Sequence, residues 1–218
     1  MFKEEALSVA GAAGNIEVRL AQAKSESGES AKKGADVGFI MCHPHPLKGG
    51  TMDNKVVTTM VRTANKAGIP SLRFNFRGVG ASEGEHAEGI GEQEDLALLV
   101  DYARNQLGWK KIILGGFSFG CGVACLYSLR QPEICHGLFL VAPAVYLFDA
   151  PTNLPFEFES HIYMGDADEV VPFEEVEHWV DTVTPQPHWR VFEDAGHFFH
   201  GRLTDLKASF LEDLTPLL

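Results

Sequence analysis

Clustered basic residues, long apolar runs and paired cysteines are all missing from this 218-residue chain. Only 18 lysines and arginines stand against 30 aspartates and glutamates, a net charge of -12, and no basic patch gathers along the sequence. Binding a phosphate backbone needs such a patch, so nucleic acid is not an expected partner. No stretch reaches the roughly 18 uninterrupted apolar residues of a membrane span. The N-terminal MFKEEALSVAGAAGN carries acids where an export signal carries bases. No membrane partner is expected, and the expected location is the cytoplasm. Cys42, Cys121, Cys125 and Cys135 lie in apolar or glycine-rich segments without a CxxC pair, which favours buried free thiols over disulfides or zinc ligands. No Pro/Ser-rich linker divides the chain, and 45% hydrophobic residues are enough to fill one core. Residues 1–218 therefore read as one domain.

What is present is a regular alternation. After an N-terminal part read as one or two edge strands with a loose turn around SESGESAKKG, VGFIMCH reads as a buried strand and NKVVTTMVRTANKAG as a helix ending at Gly68. PSLRFNFRG follows as a strand, and EQEDLALLVDYARNQLG as an amphipathic helix closed by Gly108. Strand KIILGGFS then leads into helix GCGVACLYSLRQ. After them come strand GLFLVAPA, strand HIYMG, a helix near FEEVEHWVDTV, strand HWRVFE and a last helix over 203–214. Near-continuous apolar strands separated by helices imply an α/β fold with a mostly parallel central sheet covered on both faces. Such sheets place ligands at the carboxyl ends of their strands.

At the centre stands LGGFSFGCGVA. Gly116, Ser118 and Gly120 form G-x-S-x-G directly between an apolar strand and an apolar helix, the context in which a serine hydroxyl is left standing above a sheet. The amide of Phe119, at the start of the helix, is placed to stabilise a developing negative charge. Two other readings compete. Ser118 can simply cap the helix, or Gly116, Gly120 and Gly122 can form a dinucleotide loop of the short-chain dehydrogenase type. The second lacks its Y-x-x-x-K pair, since Tyr102, Tyr127, Tyr146 and Tyr163 are followed four positions later by Gln106, Gln131, Ala150 and Ala167.

A nucleophilic serine needs a histidine to take its proton and a carboxylate to fix that histidine's tautomer. GDADEVVP follows the strand HIYMG and offers Asp168, with Asp166 as the neighbouring alternative. FEDAGHFFH follows the last strand and offers His197 at the strand exit, with His200 further on. The order Ser118, Asp168, His197 is that of the α/β-hydrolases.

From about Val37 to the C-terminus the chain resembles the α/β-hydrolase superfamily. The segment FNFRGVGASEG resembles the superfamily's turn after the fourth strand, with Asn75 where many members carry Asp. CHPHPLKGGTMDNKVV resembles more narrowly a group of small bacterial α/β-hydrolases related to dienelactone hydrolases and carboxylesterases. Dienelactone hydrolases use a cysteine nucleophile, whereas this elbow holds serine, with Cys121 three positions later.

The resemblance implies a second oxyanion donor in the loop HPHPLKGG. Pro44 and Pro46 have no N–H, which leaves Leu47 as the favoured donor and His45 as the next. Gly49 and Gly50 let the loop fold close to the elbow, and Thr51 is placed to start the following helix. The His43-x-His45 spacing is also that of a metallo-β-lactamase-type zinc site, but Pro46, Leu47 and Lys48 replace the acid and histidine that would complete it, so no metal is expected.

Only 17 positions separate Ala144 from His161, too few for two helices of about a dozen residues with turns. No cap domain is expected, and Tyr146, Phe148, Phe156 and Phe158 are placed to offer apolar contacts at an open cleft or to pack beneath its loop. The combined reading is a cofactor-free serine hydrolase acting on carboxylic ester or thioester bonds of small substrates. A peptidase or amidase on the same residues, or a non-catalytic binding protein of the same fold, stays open as the alternative.

Overall fold

The computed structural model describes residues 2–23, 36–154 and 158–218. The loose turn expected over 25–34 and the residue Phe156 lie outside the described residues. Eight strands form one sheet in the order β1-β2-β4-β3-β5-β6-β7-β8. They are β1 (Glu5–Gly11), β2 (Gly14–Ala21), β3 (Val37–Cys42), β4 (Ser71–Phe74), β5 (Lys111–Phe117), β6 (Cys135–Val141), β7 (Ser160–Gly165) and β8 (His188–Phe192). Only the pairs β1–β2 and β2–β4 are antiparallel; from β4 to β8 every pair is parallel.

Among the described residues five α-helices connect or follow these strands: α1 (Lys55–Lys66), α2 (Ile90–Asn105), α3 (Phe119–Arg130), α4 (Phe173–Thr182) and α5 (Leu203–Leu214). The chain steps from β3 to β4 in one direction along the sheet and from β5 to β6 in the other. Right-handed crossovers therefore put α1 and α3 on opposite faces. Accordingly α1 packs with α5 and α2 with α3. Burial from both sides explains why Phe39, Ile40, Met41 and Cys42 are all inaccessible in β3, and why the same holds for Ile112, Ile113 and Leu114 in β5. The reversal of winding falls between β3 and β5, so the loops after these two strands diverge and leave a crevice at their carboxyl ends.

Three of the differences from expectation have a local cause in hydrogen bonding. Strand β4 ends at Phe74: the Asn75 amide still donates to Glu17 O of β2, but the next amide, that of Phe76, donates to His43 Nε2 instead of continuing the ladder. The Arg77 guanidinium then pairs with the buried carboxylate of Asp95. Helix α2 starts at Ile90, two residues before Glu92, because the Glu92 carboxylate reaches back to accept from the amides of Gly89 (2.8 Å) and Ala87 (3.0 Å). Helix α1 is capped by Asn54, whose Oδ1 accepts from Val56 N at 2.8 Å, and not by Thr51, whose hydroxyl accepts from Asp53 N within the preceding turn.

Between Ala144 and Ser160 the described residues hold one short 3-10 turn, Val145–Leu147, and no α-helix. The fold is an α/β-hydrolase fold, with no cap domain among the described residues. Among the described residues no helix is long and apolar enough to cross a membrane.

Candidate active site

Ser118 sits at the end of β5 with φ 54° and ψ -117°, a left-handed backbone that a non-glycine residue adopts at a cost of about 1–3 kcal/mol. Its amide is held by Val141 O at 2.9 Å, and its side chain makes no capping bond to α3. Helix capping thus does not explain the serine. The glycines on either side are fixed by contact. A Cβ at Gly116 would lie 2.5 Å from Cys121 N, and one at Gly120 would lie 2.6 Å from the carbonyl oxygens of Cys42 and His43. The first lets the strand meet its own helix, and the second lets α3 press against the end of β3.

His197 follows the turn after β8. Its Nδ1 lies 2.8 Å from Asp168 Oδ2, and both side chains are almost wholly buried. The other oxygen of Asp168 accepts from the amides of Val170 and Val171, each at 2.8 Å, so the carboxylate is fixed by three donors. With Nδ1–H donated to Asp168, Nε2 is the ring nitrogen left to accept a proton. The ring packs against Phe117 and Phe198, with centroids 4.9 and 5.0 Å away.

The alternatives part company here. Asp166 Oδ1 accepts from the Asp194 amide at 2.7 Å and ties the two loops together, while His200 is exposed and stacks on Phe198. Glu169 escaped notice in the sequence although it adjoins Asp168. Its Oε2 accepts from the His197 amide at 3.0 Å, where a side chain at Gly196 would collide with it at 2.7 Å. Burial pushes the Cys121 thiol well above its ordinary pKa, and its S–H is directed at Val141 O, so it offers no thiolate beside Ser118.

Ser118 and His197 open on one cleft of about 510 Å³, lined also by His45, Lys48, Gly50, Tyr146, Leu147, Val170 and Phe198. The loop after β3 forms one wall. His43 is inaccessible; its Nδ1–H donates to Pro44 O at 2.6 Å, and its Nε2 accepts from Phe76 N at 3.0 Å. Burial lowers its pKa to about 4. Both ring nitrogens being engaged, it orders the loop and has no electron pair for a metal.

Within this loop the two expected donors are placed differently. The Leu47 amide donates to His45 Nδ1 at 3.2 Å, and Leu47 lines a separate cavity with Arg77 and His86. His45 lines the cleft, its ring resting on Phe119 and His86. Gly50 closes the loop, since a Cβ there would sit 2.2 Å from Pro44 O. Asn75 ties the neighbouring turn to the sheet, accepting from Met52 N and donating to Glu17. Of the aromatic residues expected at the mouth, Tyr146 lines the cleft, Phe148 lies over Gly122 of α3 and Phe158 packs against the core.

Known proteins share this fold. Residues 47–162 match the family model for the alpha/beta hydrolase fold, and the chain belongs to that family. It is similar to an α/β serine hydrolase homologue from Coxiella burnetii, with 37% identity over 98% of each chain and a TM-score of 0.87. It is also similar to an α/β serine hydrolase without lid from Xanthomonas campestris, with 33% identity, 99% of this chain and 95% of that one covered, and a TM-score of 0.89. An uncharacterized protein of Rickettsia prowazekii is 32% identical over 197 residues, 87% of this chain and 79% of that one.

Proposed function

We propose that this protein is a serine hydrolase that cleaves carboxylic ester or thioester bonds of small substrates through an acyl-enzyme intermediate. The observation that supports this reading most directly is the buried Asp168–His197 pair opening on the same cleft as a strained, uncapped Ser118.

Ser118 is assigned as nucleophile and His197 Nε2 as the base that takes its proton while Oγ attacks the carbonyl carbon. Asp168 holds the Nδ1–H tautomer and stabilises the imidazolium that forms. The amides of Phe119 and His45 are assigned to the oxyanion, each donor contributing about 3–4 kcal/mol to the transition state. His197 returns its proton to the leaving alkoxide or thiolate, then activates a water that releases the acid and regenerates Ser118.

The cleft volume is within the range of small-ligand sites, about 300–1,000 Å³, and Tyr146, Leu147, Val170 and Phe198 give it an apolar lining. This favours short acyl groups over long lipid chains. The test is a screen of p-nitrophenyl esters of increasing acyl length, with matching thioesters and anilides, against the wild type and Ser118→Ala. Expected are turnover of acetate and butyrate esters, weaker turnover of anilides, and a loss of about a million-fold in kcat for the variant. Turnover that survives in Ser118→Ala would overturn the assignment.

A further inference from the structure

We propose that Glu159, His161 and His188 form a binding site for a zinc-type divalent cation on the sheet edge remote from the catalytic cleft. The cleft lies at the carboxyl ends of the strands, whereas His161 is the second residue of β7 and His188 the first of β8. The two sites share no residue.

Strand geometry brings the three side chains together. Glu159 and His161 are two apart along an extended segment and so project from the same face. His161 and His188 are directly paired in the parallel β7–β8 register. The rings lie in a stack on Phe139, with Phe139–His161 centroids 4.6 Å apart at 4° and His161–His188 centroids 4.5 Å apart at 12°. Glu159 Oε2 is 3.5 Å from His161 Nε2, and Oε1 is 3.8 Å from His188 Nε2. One donor atom from each residue lies within 4.8 Å of the others. Ligands about 2.0–2.1 Å from a tetrahedral zinc are themselves about 3.3 Å apart, so the carboxylate–imidazole spacings need only small adjustments. The ion must lie near the plane of each ring, so one ring has to tilt; His188, half-exposed on the edge strand, is free to do so.

A second observation is independent of this spacing. His161 is 2% exposed, yet neither of its ring nitrogens has a hydrogen-bond partner. Buried polar atoms are nearly always satisfied, and an orphan one calls for an explanation. Here Nε2 faces Glu159 and His188, while Nδ1 faces Asp213 Oδ2 at 3.6 Å. Asp213 is itself anchored by Arg190 and by the Tyr163 hydroxyl at 2.7 Å. A metal-binding histidine whose other nitrogen faces a fixed carboxylate is the usual arrangement around zinc, because the carboxylate holds the ring's orientation and tautomer. A water would complete a two-histidine, one-carboxylate shell. Such an ion would pin edge strand β8 to β7 at the end far from His197.

The experiment uses the untagged full-length chain, titrated with zinc chloride by calorimetry after treatment with chelator and dialysis. Expected is one zinc per chain, with affinity at least tenfold weaker in both Glu159→Gln and His188→Gln, whose side chains are half-exposed. His178→Gln, a change to an exposed histidine on α4, should leave affinity unchanged. Cobalt(II) in place of zinc should give the intense visible absorption of a four-coordinate ion, lost in the two ligand variants, and ester hydrolysis should be unaltered by His188→Gln. Absence of saturable binding, or binding that persists in both ligand variants, would overturn the proposal.

Discussion

Replacing Asp168 by asparagine separates a catalytic role from a structural one, because the surroundings of the carboxylate dictate how the amide must sit. Oδ1 of Asp168 accepts from two backbone amides, Val170 and Val171, so an asparagine must place its carbonyl oxygen there. Its NH2 then faces His197 Nδ1, 2.8 Å away in the wild type, and that nitrogen must become the acceptor. The ring proton moves to Nε2, the atom that has to take the Ser118 proton, and the base is lost with little change of shape. The cost expected for such a tautomer inversion is about 10⁴-fold in kcat, or about 5.5 kcal/mol of transition-state stabilisation. Asp166→Asn supplies the contrast. Its one described bond accepts from the Asp194 amide, and an asparagine carbonyl can accept it as well, so kcat should change by less than about threefold, within the small range of an exposed turn substitution. The assay is steady-state hydrolysis of p-nitrophenyl butyrate, with thermal melts to show that both variants are folded. An Asp168→Asn variant that keeps more than a tenth of wild-type kcat, or an Asp166→Asn variant that loses more, would refute the reasoning.

The remaining expectations follow from the loop after β3, the elbow and the open cleft. His43 has a folded pKa of about 4 against an ordinary value of 6.5. Between these values the unfolded chain holds the extra proton, so stability is complete above pH 6.5 and falls on acidification toward pH 4, by on the order of 3 kcal/mol. Urea midpoints across that range should show the slope, and His43→Gln should flatten it; an unchanged slope would remove His43 as the cause. Gly120→Ala drives a methyl group against the Cys42 and His43 carbonyls and should cost about 1–3 kcal/mol, a fall in Tm of about 3–10 °C by calorimetry. An unaltered Tm would show that α3 yields at no cost. Without a cap, hydrolysis of a partly soluble ester should rise smoothly through its solubility limit, and a jump in rate on crossing it would reveal a mobile cover.

What was legible in the sequence was local. G-x-S-x-G between an apolar strand and an apolar helix fixes a turn through the φ and contact demands of two or three residues, and those demands are met within the same segment. The alternation of apolar strands and helices likewise carries its own periodicity. What was not legible depends on partners far along the chain. RFNFRG keeps an apolar alternation to its end, but its backbone leaves the sheet after Asn75 because the distant His43 ring takes the Phe76 amide. Thr51 and Asn54 are both good capping residues, and only the path of the preceding turn decides between them. The engagement of the Leu47 amide rests on the His45 side chain turning back onto its own loop. The meeting of His161 with His188 rests on strand register, which nothing local to either residue records.

The central claim, that Ser118 is a nucleophile activated by His197, is tested most directly by a fluorophosphonate probe followed by peptide mass spectrometry. One adduct per chain is expected, on Ser118, abolished in Ser118→Ala and strongly slowed in His197→Ala with the fold intact. An unmodified Ser118 in active protein, or equal labelling of Ser118→Ala, would contradict it.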